Sequence, residues 1–166
     1  MPGFELIGKE EFKEIEHLFK KSGILFRHSF DNLRNNIYKV KEFEKKFAKK
    51  MDAPYSLAVT SGTAALRVAL AAIDIKPGDE VIIPSCTFIA TASAVVMRGA
   101  IPVVADIEPF KLTISPQSIE SLITSKTKAI ICVHLGGIPC NMPAIMDLAH
   151  KHHCTVIEDC AQAHGA

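Results

Sequence analysis

The sequence carries almost no net charge and has no apolar stretch long enough to cross a membrane. Its 19 basic and 18 acidic residues leave a formal charge of +1 over 166 residues. A balance so close to neutral gives no reason to expect nucleic acid or an anionic membrane surface as a partner. No apolar run approaches the roughly 20 residues that a spanning helix requires.

The sequence also lacks the features of a secreted, disulfide-bonded protein. There are five cysteines, an odd number, and most of them stand in apolar surroundings. Free thiols in a reducing compartment fit this pattern best. The first 19 residues are charged and have no continuous apolar core, unlike a signal peptide. We therefore expect a cytoplasmic protein.

Several common catalytic and binding motifs are missing. The sequence has no GxxxxGK[ST] phosphate loop, no GxGxxG dinucleotide fingerprint and no GxSxG nucleophile elbow. Residues of the right type for zinc do occur, but their spacing fits no standard pattern. A metal site is therefore not expected from this set: His152, His153, Cys154, Cys160 and His164.

The chain divides into two segments that differ in their pattern of apolar and polar residues. Residues 1–52 form an amino-terminal segment in which amphipathic patterns predict surface helices over 9–21 and 38–51. Gly23 lies where a helix stop is expected, and residues 23–36 between the helices are irregular and polar. They suit a loop over a partner or an active site.

Residues 53–166 alternate between short apolar runs and helical patterns, which predicts an α/β fold. Continuous apolar runs are typical of parallel strands covered on both faces. The fold class expected is therefore a mostly parallel sheet flanked by helices. Strands are predicted at 56–59, 80–83, 101–105, 128–133 and 154–157, and helices at 63–73, 87–98, 115–124 and 142–152.

Because ligands of such sheets bind at the carboxyl ends of the strands, the residues after each strand are the candidates. Ser61, Gly62 and Thr63 open a helix and could offer backbone N–H groups to an anion, or serve only as a helix cap. Thr87 could cap the next helix. Phe88 beside it could stack on a flat ring, although a lone phenylalanine is more often a core residue.

The last predicted strand ends in a dense cluster of polar side chains. Glu158 and Asp159 are costly at the end of an apolar strand unless they have partners. A carboxylate can keep a pyridine nitrogen protonated, and Gln162 could bind a phenolic oxygen of the same ring. The alternative is that both carboxylates only cap a helix or pair with arginine.

Together these segments resemble the DegT/DnrJ/EryC1/StrS aminotransferases, pyridoxal-phosphate (PLP) enzymes of fold type I. The resemblance is dense over residues 55–166 and looser over 43–51. It rests on five motifs in the family's order: SGTAAL at 61–66, GDEVIIPSCTFIATASAV at 78–95, GAIPVVADI at 99–107, KTKAIICVHLGG at 126–137 and VIEDCAQAHGA at 156–166.

The resemblance implies a role for each candidate residue and a partner set for the enzyme. Gly62 and Thr63 would bind the cofactor phosphate, Phe88 would stack on the ring, Asp159 would pair with the pyridine nitrogen and Gln162 would contact the phenolic oxygen. Residues 53–166 would be the amino-terminal part of the large domain. The enzyme would transfer an amino group, usually from glutamate, to a keto-sugar that is mostly nucleotide-linked, and would act as a homodimer.

The sequence departs from the family in two places. The family's Schiff-base lysine lies in a motif downstream of VIEDCAQAHGA, beyond Ala166, so no catalytic residue is assigned within these 166 residues. Residues 23–36 lack the family's usual amino-terminal pattern, which weakens any inference about the substrate. A dehydrase of the same family, and a non-catalytic module that binds PLP or a nucleotide-sugar, remain alternatives.

We predict that residues 1–166 alone do not catalyse amino transfer, because the lysine that performs the proton transfers is not among them. The measurement is amino transfer by the purified chain with PLP, glutamate and a keto-sugar nucleotide. Robust turnover by this chain would contradict the expectation.

Overall fold

The computed structural model describes residues 6–165, which fall into two compact units, 6–58 and 59–165. The first unit holds helices α1 (Lys9–Lys21) and α2 (Lys39–Lys50). The second holds α3 (Gly62–Ala72), β1 (Glu80–Pro84), α4 (Ala90–Val96), β2 (Ile101–Ala105), α5 (Pro116–Leu122), β3 (Thr127–Val133), α6 (Met142–His152) and β4 (Thr155–Asp159). Among these residues no helix is long and apolar enough to cross a membrane.

Helix α1 spans the residues predicted for it, and charged side chains at both of its ends favour the helix. Acidic Glu10 and Glu11 lie in its first turn, and basic Lys20 and Lys21 lie in its last, where each sign opposes the helix dipole. Gly23 ends it with a φ of +63° and donates its N–H to Leu18 O at 3.0 Å. A left-handed residue at this position is favourable for glycine.

The segment between α1 and α2 is organised by a buried arginine rather than by secondary structure. Arg34 is only 2% exposed. Its guanidinium donates to three backbone carbonyls, those of Ser29 (2.5 Å), His28 (2.9 Å) and Phe26. These bonds satisfy carbonyl groups that a helix or strand would otherwise pair. The expectation of an irregular segment is confirmed, apart from one short 3₁₀ turn at Asp31–Leu33.

The second unit is a four-stranded parallel sheet in the order β2–β1–β3–β4. Alternate residues of each strand point to opposite faces, and each face has its own buried cluster. Val81 and Ile131 pack on the side of α3 and α4, whereas Ile82, Ile130 and Cys132 pack on the side of α5 and α6. This confirms the predicted α/β class with a parallel sheet flanked by helices.

Two local predictions are wrong. Residues 56–59 form no strand, because no strand among the described residues lies beside them to supply hydrogen bonds, and Leu57 is largely exposed. Helix α4 starts at Ala90 rather than at 87, and Ile89 is its N-cap. Thr87 therefore caps nothing, and its hydroxyl instead lies 2.9 Å from the buried hydroxyl of Thr91.

Replacing Ile130 with alanine should lower the free energy of unfolding by about 2–5 kcal/mol, since the side chain is fully buried in a central strand. The matched control is Val104→Ala on edge strand β2, where the side chain is 57% exposed. That change should cost less than about 0.5 kcal/mol. Denaturant unfolding measures both, and equal losses would contradict the assigned core.

Candidate functional site

A cavity of about 290 Å³ opens at the carboxyl end of the sheet. Its walls come from the start of α3, the segment before α4, the turn after β3 and the residues after β4. All five residues predicted to bind a cofactor line it: Gly62, Thr63, Phe88, Asp159 and Gln162. The fold therefore brings together residues that are up to 100 positions apart in the sequence.

The start of α3 leaves two backbone N–H groups free to bind an anion. Ser61 is the N-cap, and its Oγ accepts from the N–H of Ala64 at 3.1 Å. The N–H of Ala65 donates to Ser61 O at 3.0 Å, closing the first turn. The N–H groups of Gly62 and Thr63 have no hydrogen-bond partner among the described residues. Ser61 thus acts as a cap and leaves the next two donors at the positive end of the helix available.

Phe88 is an exposed aromatic side chain at the cavity wall. It is 74% exposed, so the interpretation of Phe88 as a core residue is wrong. Pro84 ends β1, and the chain turns through residues 85–89 before α4 begins. An apolar ring held this far out of the core offers a face on which a flat ring can stack.

Asp159 is the last residue of β4 and lies on the α3 side of the sheet, in line with Ile157. One carboxylate oxygen, Oδ1, accepts from the N–H of Ala161 at 3.1 Å. Burial, together with the charges of Glu158 and Asp159, raises the pKa of the Cys160 thiol. Neither carboxylate pairs with an arginine among the described residues, so Asp159 keeps acceptor capacity for a bound group.

Gln162 is held by the tight turn that follows β3. Its Oε1 accepts from the N–H of Gly136 at 2.6 Å. Gly136 and Gly137 both have positive φ, +62° and +83°, which only glycine adopts without strain. Because its oxygen is already bonded, Gln162 retains its NH₂ group as the donor toward a ligand.

His134, to which no role is assigned from the sequence, lines the cavity and is hydrogen-bonded through both ring nitrogens. It is 5% exposed. Its Nδ1 accepts from the N–H of Cys140 at 3.1 Å, and its Nε2 lies 2.9 Å from Oε2 of Glu158. The residue follows β3 directly, so the strand alternation places its side chain on the same face as Cys132. The face on which the His134 side chain lies follows from the strand pattern of the sequence, whereas its hydrogen-bond partners do not.

One group of possible metal ligands lies next to the cavity, namely His134, Glu158 and Cys160, with ligand atoms within 4.8 Å of one another. The hydrogen bond from Cys140 requires an unprotonated Nδ1, so Nε2 of the neutral ring carries the proton and donates to Glu158. A metal at Nε2 would need the opposite tautomer and would break the Cys140 bond. Of the residues considered for zinc from the sequence, this group contains only Cys160.

The donor set of the cavity fits a planar heteroaromatic ring that bears a phosphate. The free N–H groups of α3 suit the anion, Phe88 suits the ring face, and the carboxylate of Asp159 suits a protonated ring nitrogen. Gln162 adds a donor for an oxygen substituent. These features all line a single cavity.

Comparison with known proteins agrees with this geometry. The sequence profile of the DegT/DnrJ/EryC1/StrS aminotransferase family matches residues 29–166. The spore coat polysaccharide biosynthesis protein SpsC of Bacillus subtilis (strain 168) is 44% identical over 158 residues, which cover 95% of this chain and 38% of SpsC. The UDP-N-acetyl-3-dehydro-alpha-D-glucosamine 3-aminotransferase of Acidithiobacillus ferrooxidans is 54% identical over 112 residues, covering 68% of this chain and 30% of that protein.

A solved structure extends the likeness to the fold. NtdA from Bacillus subtilis, crystallised with bound cofactor PMP, superposes with a TM-score of 0.82 at 34% identity. The match covers 96% of this chain and 35% of NtdA. The chain thus spans between about 30% and 38% of the length of these relatives.

Replacing Gly137 with alanine should disturb the turn that holds Gln162. A Cβ at this position would lie 3.3 Å from the backbone oxygen of Gln162, in addition to the strain of a φ of +83°. We expect a loss of unfolding free energy of about 1–3 kcal/mol. In the matched variant Gly136→Ala, a Cβ would meet open space, so only the left-handed strain remains and the loss should be smaller. Thermal unfolding measures both, and the reverse order would contradict the turn geometry.

Proposed function

Because this chain belongs to the DegT/DnrJ/EryC1/StrS aminotransferase family, we propose that it forms the cofactor-binding half-site of a PLP-dependent aminotransferase. The observation that carries the proposal is the convergence of two free N–H donors, an exposed aromatic ring, a carboxylate and an oriented amide on one cavity. In the proposed organisation, residues 53–166 are the amino-terminal part of the PLP-binding large domain.

The start of α3 would hold the phosphate of the cofactor. Gly62 and Thr63 contribute their backbone N–H groups, and the hydroxyl of Thr63 adds a third donor. The helix dipole favours an anion at this end by about 0.3–1 kcal/mol. Glycine at position 62 has no side chain to separate the anion from the backbone.

Phe88, Asp159 and Gln162 would hold the ring of the cofactor. PLP, when bound, supplies an electron sink for bonds at the substrate carbon. The carboxylate of Asp159 would keep a proton on the ring nitrogen, because an adjacent anion favours the cationic form. Gln162 would donate from its NH₂ to the phenolic oxygen, and Phe88 would offer its face to the ring.

The substrate class proposed is a keto-sugar, typically nucleotide-linked, with glutamate as the amino donor. Support for the sugar acceptor comes from the relatives, one of which is named as a 3-aminotransferase of a UDP-linked dehydro-glucosamine and another as a protein of polysaccharide biosynthesis. We assign the activity to the complete enzyme, in which a lysine would hold the cofactor and supply the general acid–base group.

A homodimer in the cytoplasm completes the proposal. The reducing compartment is supported by the five cysteines, all of which are free. Analytical ultracentrifugation of the complete enzyme tests for the dimer. A monomer at micromolar concentration would contradict it.

The proposal is tested by Asp159→Asn in the complete enzyme. The amide lacks the negative charge that keeps the ring nitrogen protonated, so turnover of glutamate and a keto-sugar nucleotide should fall by about a hundredfold or more. Asp147→Asn on the exposed side of α6 is the matched control and should leave turnover unchanged. The same turnover in both variants would remove Asp159 from the mechanism.

A further inference from the structure

His134 connects three segments that surround the cavity. Its backbone N–H donates to Asp159 O at 3.2 Å, where β3 and β4 end. Its Nδ1 accepts from the N–H of Cys140 at 3.1 Å, at the far end of the turn after β3. Its Nε2 donates to Glu158 Oε2 at 2.9 Å on β4. One buried residue therefore fixes the end of β4 and closes the turn that carries Gly136.

The turn closed in this way carries the donor that orients Gln162. Gly136 lies between His134 and Cys140, and its N–H holds Gln162 Oε1 at 2.6 Å. Cys140 is anchored a second time, because its Sγ donates to Val133 O at 3.3 Å. A shift of this turn would therefore move both the Gln162 amide and the end of β4 beside Asp159.

We propose that His134 is a positioning residue that, as a neutral imidazole with its proton on Nε2, sets the placement of Asp159 and Gln162 for the cofactor. The inference rests on the proposed function for its ligand, but the hydrogen bonds themselves belong to the protein. His134 acts through Glu158, Cys140 and Gly136 and takes no part in proton transfer. Its partner Glu158 serves as an acceptor, and its charge is not required.

The roles of the two ring nitrogens can be separated by substitution. In His134→Asn the amide oxygen can replace Nδ1 as the acceptor for Cys140, but no donor reaches Glu158. In Glu158→Gln a carbonyl oxygen still accepts from Nε2, whereas in Glu158→Leu the acceptor is lost at similar volume. His150→Asn, on the exposed surface of α6, is the matched control.

The test measures the Kd for PLP by equilibrium dialysis with the complete enzyme and its variants, alongside the thermal unfolding of each apoprotein. His134→Asn and Glu158→Leu should raise the Kd about three- to tenfold, the effect of one lost hydrogen bond whose donor is buried and whose acceptor side chain is 50% exposed. Glu158→Gln should stay within about twofold of wild type, since the conservative change rescues the bond. An unchanged Kd in His134→Asn and Glu158→Leu would overturn the positioning role. A tenfold weaker Kd in Glu158→Gln would overturn the neutral tautomer.

A second readout does not depend on PLP. In His134→Gln the side-chain amide can still donate to Glu158, but no acceptor reaches the N–H of Cys140, so the turn that carries Gly136 is no longer closed. The ¹⁵N–¹H signal of the Gln162 side-chain amide, assigned by its loss in Gln162→Leu, should shift in the His134→Gln apoprotein and stay in place in His150→Asn. If the wild-type enzyme fails to bind PLP, the proposed function fails, while a shifted amide signal still supports the positioning of Gln162 by His134. An amide signal that stays in place in His134→Gln overturns the inference whether or not PLP binds.

Discussion

The parallel pairing of β3 with β4 is the constraint on which the site depends. Val133 lies opposite Asp159 in the register, and the next N–H along β3, that of His134, donates to Asp159 O. This pairing ends both strands at the same level of the sheet, so the carboxylate, the turn after β3 and the start of α3 meet at one edge. A shift of one residue would move Asp159 to the opposite face and remove it from the cavity.

Consecutive residues of β4 then perform different tasks because strand side chains alternate. Asp159 points to the face of α3 and α4 and lines the cavity. Glu158 points to the face of α5 and α6, where it binds the buried His134. The Glu158 side chain is 50% exposed and bonds His134 on its own face. Asp159 is half-buried, where an unpartnered carboxylate is costly, and it accepts from the N–H of Ala161.

Much of this arrangement could be predicted from the sequence because the signals were local. Continuous apolar runs marked β1 to β4 to within about one or two residues, and helix α6 was placed at its observed bounds. The five cavity residues were found because each lies at or shortly after the end of a predicted strand, and parallel topology collects such positions at one edge. The run at 56–59 before Gly62 and Thr63 forms no strand, yet the start of α3 still reaches the cavity. The roles of the five residues toward a cofactor remain predictions.

The errors arose where the outcome depended on partners distant in the sequence. Residues 56–59 have the composition of a strand, but a strand forms only beside another strand, and composition does not contain that information. Phenylalanine is usually a core residue, but α4 begins two residues after Phe88 and the ring of Phe88 remains outside the core.

The tautomer of His134 also depends on contacts that the residues next to it in the sequence do not reveal. A histidine beside a glutamate suggests an ion pair or a metal site when only those two residues are considered. The N–H of Cys140, six positions along the chain, occupies Nδ1 and makes Nε2 a donor. The glutamate thereby accepts a hydrogen bond from a neutral imidazole, and the polar cluster at the cavity holds the backbone in place. The proposed binding of a planar ring would benefit from such support, because a displacement of about 1 Å at the reacting groups can cost about a hundredfold in rate.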